Sequence, residues 1–173
     1  MLKGLLRYKH GMGADRQEFL RGISEAQKGS REAIQALIVS HNSLGPSHAI
    51  GHQLGSVAGV MHGLTSCILL APTLRYSAKT WPRTREVQAR ILEVFNETLG
   101  WRERDAADAL TKFVTQLGLP TRLSEVGVTD QAQVEEVAEK TLTDIWGGRG
   151  AADHGEGGGD EDFEYGQVDV SGV

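Results

Sequence analysis

Three of the six histidines, His48, His52 and His62, fall within fifteen residues of the segment GPSHAIGHQLGSVAGVMHGLTSCILLAPTLRY at 45–76. A separation of four residues between His48 and His52 puts both imidazoles on one face of a helix, one turn apart. Pro46 suits the first turn of that helix, where its missing N–H costs no hydrogen bond. His62 follows after a glycine-containing break at Gly55 and Gly59 and directly precedes the apolar run Leu64 to Leu70. That order predicts a second, buried helix beginning at His62. Two imidazoles one turn apart and a third from a neighbouring helix start make a partial metal site or a proton relay. The same residues also have a plainer reading. Helix histidines are commonly structural or surface groups, and Gly51, Gly55, Ser56, Ala58 and Gly59 equally suit close helix packing. Residue types and spacing leave these alternatives open.

The elements that would hold such a cluster are helical. Apolar side chains at Phe19, Leu20, Ile23, Ala26, Ala33, Ile34, Leu37 and Ile38 form one stripe of a helix over 14–40, interrupted in sequence by Gly22 and Gly29. A second pattern runs from Arg85 to Leu99 through Val87, Ile91, Val94 and Phe95, with Gly100 as its stop. A third runs from Glu103 to Leu117 through Ala106, Leu110, Phe113 and Val114, closed by Gly118 with Pro120 beyond. A fourth starts at Asp130, whose side chain can cap a free N–H while Gln133 reaches back, and continues through Val134, Val137, Leu142 and Ile145. No stretch alternates cleanly enough for a strand. The expectation is an all-α fold of five to seven helices over residues 1–146.

After Trp146 the composition changes. Residues 147–173 hold nine of the 22 glycines and seven acids (Asp153, Glu156, Asp160, Glu161, Asp162, Glu164, Asp169) against one base, Arg149, a net −6. The remaining body, with 17 bases and 16 acids, is close to neutral at +1. The glycine-rich, acidic segment offers too little apolar surface to offset its ordering entropy, so it is expected to be a disordered tail. Its GGRG and GEGGG runs lack the preceding strand and following helix of a phosphate-cradling turn.

A neutral body gives no electrostatic footprint for nucleic acid, which is recognised through a basic face. No apolar run reaches the roughly 18 residues of a membrane span, and MLKGLLRYKHGMG is too short and basic in its apolar part for a signal sequence. Cys67 is the single cysteine, which excludes an internal disulfide and a cysteine-built zinc site and fits a reducing, cytoplasmic compartment. It reads as a small buried hydrophobe, with nothing nearby to lower its pKa. Trp81, Trp101 and Trp146 stand near helix ends and read as packing residues. His10, His41 and His154 match no motif.

The run S-H-A-I-G-H-Q-L-G followed by M-H-G-L-T-S-C-I-L-L-A-P resembles the signature of iron-containing alcohol dehydrogenases and the related maleylacetate reductases. Met61 stands where proline is commoner. GLPTRLSEVGV at 118–128 is similar to the segment near the end of that family's helical domain, and the resemblance extends over about residues 1–146. It implies the helical C-terminal domain of the iron-type alcohol dehydrogenase (dehydroquinate synthase-like) fold. It further implies that His48 and His62 correspond to metal-ligating histidines and His52 to the histidine that transfers a proton beside the substrate and nicotinamide. The cofactors so implied are NAD(P) and Fe2+ or Zn2+. The ion would act as a Lewis acid on an alcohol or carbonyl oxygen during hydride transfer.

Two elements of the family's pattern have no counterpart here. Its remaining metal ligands are an aspartate and a histidine four residues later, and no aspartate in this chain has a histidine at that offset. No glycine-rich turn for a nucleotide is found either, so no cofactor-binding residue is assigned. Maleylacetate reductases keep similar histidines and are generally regarded as metal-free. The expectation is an NAD(P)-dependent oxidoreductase domain nearest the maleylacetate-reductase-like branch, acting on a small alcohol, carbonyl or enoate. It would be a truncated form lacking the nucleotide-binding domain, and it could form a homo-oligomer. The rival expectation is a non-catalytic helical pseudoenzyme or interaction module.

Overall fold

The structure is a computed structural model that describes residues 1–40 and 44–144. Seven α-helices and one short 3-10 turn make up its regular elements, with no strand among the described residues. The helices are α1 (Leu2–Gly11), α2 (Arg16–Ser40), α3 (Pro46–Ala58), α4 (His62–Thr80), α5 (Pro82–Leu99), α6 (Ala106–Leu117) and α7 (Gln131–Thr141), and the 3-10 turn spans Leu123–Val126. The all-α expectation therefore holds. The expected tail, with Ile145, Trp146, His41 and His154, lies outside the described residues.

The chain divides into two compact units. One contains α1, α2, α5 and α6; the other contains α3, α4, the 3-10 turn and α7. In the first, Phe95 of α5 and Ala109 and Phe113 of α6 are buried, with Leu2, Leu5 and Leu6 of α1 and Leu99, Trp101 and Leu117 packed around them. Trp101 stacks on Phe95 with ring centroids 6.2 Å apart, and the Lys112 ammonium lies 4.5 Å from the Trp101 ring centroid. The Asp105 carboxylate accepts the Ala107 and Asp108 N–H groups, so α6 begins at Ala106 and not at Glu103.

One departure from the expected helices, α1, and the continuity of α2 have the same cause. No helix was expected before residue 14, yet α1 occupies Leu2–Gly11. The helix expected over 14–40 is present as α2, which runs unbroken through Gly22 and Gly29 to Ser40. A Cβ built on Gly22 would stand 2.3 Å from the Tyr8 backbone nitrogen, and one on Gly11 would stand 2.4 Å from that of Phe19. Gly4 meets Glu25 and Ala26, and Gly29 meets Met1, in the same way. These glycines are contact points where two helix backbones touch. The apolar stripe of α2 is only partly covered: Ile34, Ile38 and Val39 are exposed, and Gly22 is the buried residue of that helix.

In the second unit Ile50, Leu54, Val60, Ile68, Leu69, Leu123, Val128 and Val137 form one buried cluster. It joins the histidine-bearing helices to residues of the 118–128 segment, so the two stretches singled out in the sequence pack on one another. Pro46 stands in the first turn of α3, and Gly59 ends the helix in the left-handed region at φ 67°. The glycine break thus falls at Gly59, while Gly55 remains helical. The Asp130 carboxylate accepts the Ala132 N–H at the start of α7. Gln133 does not reach back to complete that cap; its Nε2 donates to the Val57 carbonyl at 3.4 Å and ties α7 to α3.

Candidate functional site

The histidines are brought together by the crossing of α3 and α4. Gly51, between His48 and His52 on α3, faces Thr65 of α4 so closely that an added Cβ would lie 2.7 Å from the Thr65 hydroxyl. Thr65 is 1% exposed, and its hydroxyl donates to the His62 carbonyl at 2.7 Å. One side chain therefore contacts α3 and holds the first turn of α4. Leu54, Ile68 and Leu69, buried at 2%, 0% and 4% exposure, fix the crossing from beneath.

At its open side the imidazoles of His48, His52 and His62 form a triangle. Ring centroids are 4.3 Å apart for His48 and His52, 5.1 Å for His48 and His62, and 5.3 Å for His52 and His62. One nitrogen from each ring lies within 4.8 Å of the others. His48 and His52 are half-buried and His62 is exposed, so the cluster has a solvent-facing side. Burial pushes the His48 imidazole below its ordinary pKa, and the neighbouring His52 and His62 add to the effect, while the Asp144 carboxylate opposes it. A neutral imidazole is the form that accepts a metal ion or a proton.

Asp144 was not singled out in the sequence. It follows α7, is 8% exposed, and places a carboxylate oxygen 3.7 Å from His52 Nδ1. The same oxygen accepts the Gln53 amide at 2.8 Å. No local pattern marks this residue; only the packing of α7 on α3 brings it to a histidine 92 positions earlier in the chain. Cys67 is half-buried, donates to the Gly63 carbonyl at 3.6 Å, and has its pKa raised by burial, which leaves it a poor nucleophile. Met61, in the place of the commoner proline, is 70% exposed.

The donor set fits a divalent transition metal. Zn–N bonds of about 2.0–2.1 Å put two nitrogens of a tetrahedral centre about 3.4 Å apart. Side-chain movement of roughly 1.4 Å brings the widest of the present nitrogen separations, up to 4.8 Å, to that distance. His48 and His62 would supply two of the three or four protein ligands such an ion usually takes, so the imidazoles suit its donor chemistry but form an incomplete set.

The described residues are all-helical in their regular structure and gather three imidazoles at one helix crossing, and no helix among them is long and apolar enough to cross a membrane. Comparison with known proteins makes the assignment. Residues 28–149 match the C-terminal model of the Fe-containing alcohol dehydrogenase family, and the chain belongs to that family. The matched region starts within α2, so α1 lies outside it and the family match is shorter at the N-terminal side than the 1–146 expected from the sequence.

The chain is 34% identical over 120 residues to a dehydrogenase of Gibberella moniliformis, covering 61% of this chain and 27% of that protein. It is 37% identical over 119 residues to a dehydrogenase of Alternaria alternata, covering 60% and 30%. It is 31% identical over 116 residues to 1,3-propanediol dehydrogenase of Klebsiella pneumoniae, covering 64% and 29%. The chain thus spans less than a third of the length of each of these three relatives. No solved structure matches it.

Proposed function

We propose that this chain carries the metal-holding and proton-transferring residues of an NAD(P)-dependent oxidoreductase acting on a small alcohol, carbonyl or enoate. The observation that supports this reading is the convergence of His48, His52 and His62 to within 4.8 Å at the crossing of α3 and α4. His48 and His62, from different helices, would hold Fe2+ or Zn2+; such an ion supplies Lewis acidity toward a substrate oxygen while a nicotinamide exchanges hydride with its carbon. His52 stands beside them and exchanges a proton at its ring. The half-buried position of His48 favours its neutral, ligating form. The exposed side of His62 leaves a path for substrate.

Two imidazole ligands make an incomplete set, since such ions usually take three or four protein ligands. This chain alone is therefore expected to bind Zn2+ or Fe2+ weakly and release it on dialysis. Calorimetric titration with each ion tests the reading. One weak site per chain, abolished by His48→Ala and by His62→Ala, supports it, and no heat with either ion overturns it.

No nucleotide-binding residue is assigned within this chain, so titration with NADH and NADPH is expected to show no appreciable binding. Micromolar binding of either nucleotide would show that the residues holding it lie within this chain.

A further inference from the structure

We propose that Asp144, held in place by Gln53, is a positioning residue that fixes the tautomer and orientation of His52, with the proton on Nδ1 and the lone pair on Nε2. The inference rests on the reading of His52 as the proton-transfer group. It adds the atom at which transfer occurs and the residue that selects it.

The carboxylate lies at a buried position, its side chain 6% exposed, with one oxygen 3.7 Å from His52 Nδ1. Burying a carboxylate is costly unless hydrogen-bond donors surround it. Gln53, next to His52 on α3, supplies one amide donor at 2.8 Å to that same oxygen. The backbone that delivers Asp144 is itself anchored. Its N–H donates to the Thr141 carbonyl at 3.1 Å, and the buried Thr141 hydroxyl donates to the Val137 carbonyl at 2.7 Å. Val137 sits in the apolar cluster with Ile50 and Leu54 of α3. The carboxylate is therefore set by the core that supports the histidine helix.

A separation of 3.7 Å exceeds a hydrogen bond, and a ring rotation of under an ångström closes it. Catalytic hydrogen bonds in substrate-free enzymes are often long in this way. A carboxylate facing Nδ1 accepts the proton there and leaves Nε2 as the basic atom, the arrangement by which an acid orients a catalytic histidine. The proton of the proposed reaction is exchanged at Nε2, and the carboxylate holds the ring in the orientation that presents that atom.

The test uses the full, metal-free chain labelled with 15N-histidine. Two-bond nitrogen–proton correlation spectra are recorded above the imidazole titration range, with His52 assigned through His52→Gln. The expected result is His52 in the Nδ1–H form by about tenfold or more, the ratio one charge-assisted hydrogen bond supports. Asp144→Ala shifts it to the Nε2–H form that an unrestrained imidazole prefers, and Asp144→Glu restores part of the original population. A wild-type His52 in the Nε2–H form overturns the proposal, as does a tautomer unchanged in a folded Asp144→Ala chain. If Asp144→Ala fails to fold, the wild-type spectrum still decides, and Gln53→Ala, which loosens the carboxylate while leaving it present, is expected to lower the Nδ1–H fraction. Because no metal or substrate takes part, loss of the tautomer preference with metal binding intact refutes the positioning role alone. Loss of metal binding with the preference intact refutes the functional reading alone.

Discussion

Replacing Gly51 with alanine tests the view that the α3–α4 crossing builds the histidine cluster. The new methyl carbon would stand 2.7 Å from the Thr65 hydroxyl and 3.2 Å from Thr65 Cβ, where ordinary contact begins at 3.4 Å. About 0.7 Å of separation must therefore be found between the helices, or the Thr65 side chain must rotate. Rotation breaks its bond to the His62 carbonyl at a site 1% exposed, so neither route is free. Overpacking of this kind costs about 1–3 kcal/mol. Alanine regains about 1 kcal/mol over glycine in helix propensity. The net effect is a loss of about 0–2 kcal/mol, or a fall of up to about 8 °C in thermal midpoint for a chain of this size.

Gly63→Ala supplies the control, because nothing lies within 4 Å of a Cβ there. It is expected to leave the midpoint unchanged or raise it slightly. Differential scanning calorimetry reads both variants, and zinc titration shows whether moving His48 and His52 relative to His62 weakens the site. A Gly51→Ala chain that melts a few degrees higher, with unchanged zinc affinity, would mean that the helices approach less closely than described and that the crossing does not set the cluster.

The remaining expectations are more local. Gly22→Ala places a Cβ 2.3 Å from a backbone nitrogen that cannot rotate away. It is expected to cost toward the upper end of about 1–3 kcal/mol, seen as a lower urea midpoint, and a midpoint equal to wild type would refute the close α1–α2 contact. Glu125 accepts the Thr121 and Arg122 N–H groups at 2.7 and 2.9 Å, which holds its carboxyl below the ordinary value of 4.5. A depressed carboxylate pKa contributes stability that is present above the unfolded value and lost as pH falls through the folded one. Urea melts between pH 5 and the acid limit are therefore expected to show a shallower acid loss for Glu125→Gln than for wild type, and parallel curves would contradict this. His48→Ala and His62→Ala are each expected to lower zinc affinity by more than tenfold, since breaking a two-imidazole set leaves one ligand. An affinity unchanged from wild type in both variants would place the ion elsewhere.

Much of the site was legible because its signals are local. Pro46 marks a helix start, the spacing of His48 and His52 marks one face, and His62 stands immediately before an apolar run. Asp130 and Gly118 mark helix ends by their own side-chain and backbone chemistry. What escaped the sequence reading depends on distant contacts. Asp144 carries no motif, and its place beside His52 follows from how α7 lies on α3. Gln133 looks like a capping residue by spacing and serves instead as a tie to Val57. The helix at Leu2–Gly11 was hidden because Gly4 and Gly11 weaken its propensity, and the contact that makes glycine useful there is invisible until α2 is present.

The glycine-faced pairing of α1 and α2 also makes that hairpin an all-or-none element. Gly4 and Gly11 on one helix, and Gly22 and Gly29 on the other, are each seven residues apart, close to two full turns. A slip of one turn along the axis would drive side chains into the opposing backbone, so one alignment is admitted and its neighbours are closed. Each glycine also weakens its own helix by about 1 kcal/mol relative to alanine, so neither helix is well supported alone. Docking supplies what propensity lacks, and both form together or neither does. Amide hydrogen exchange is expected to show the two helices opening at one common free energy, like the halves of a zip fastener that has a single set of teeth.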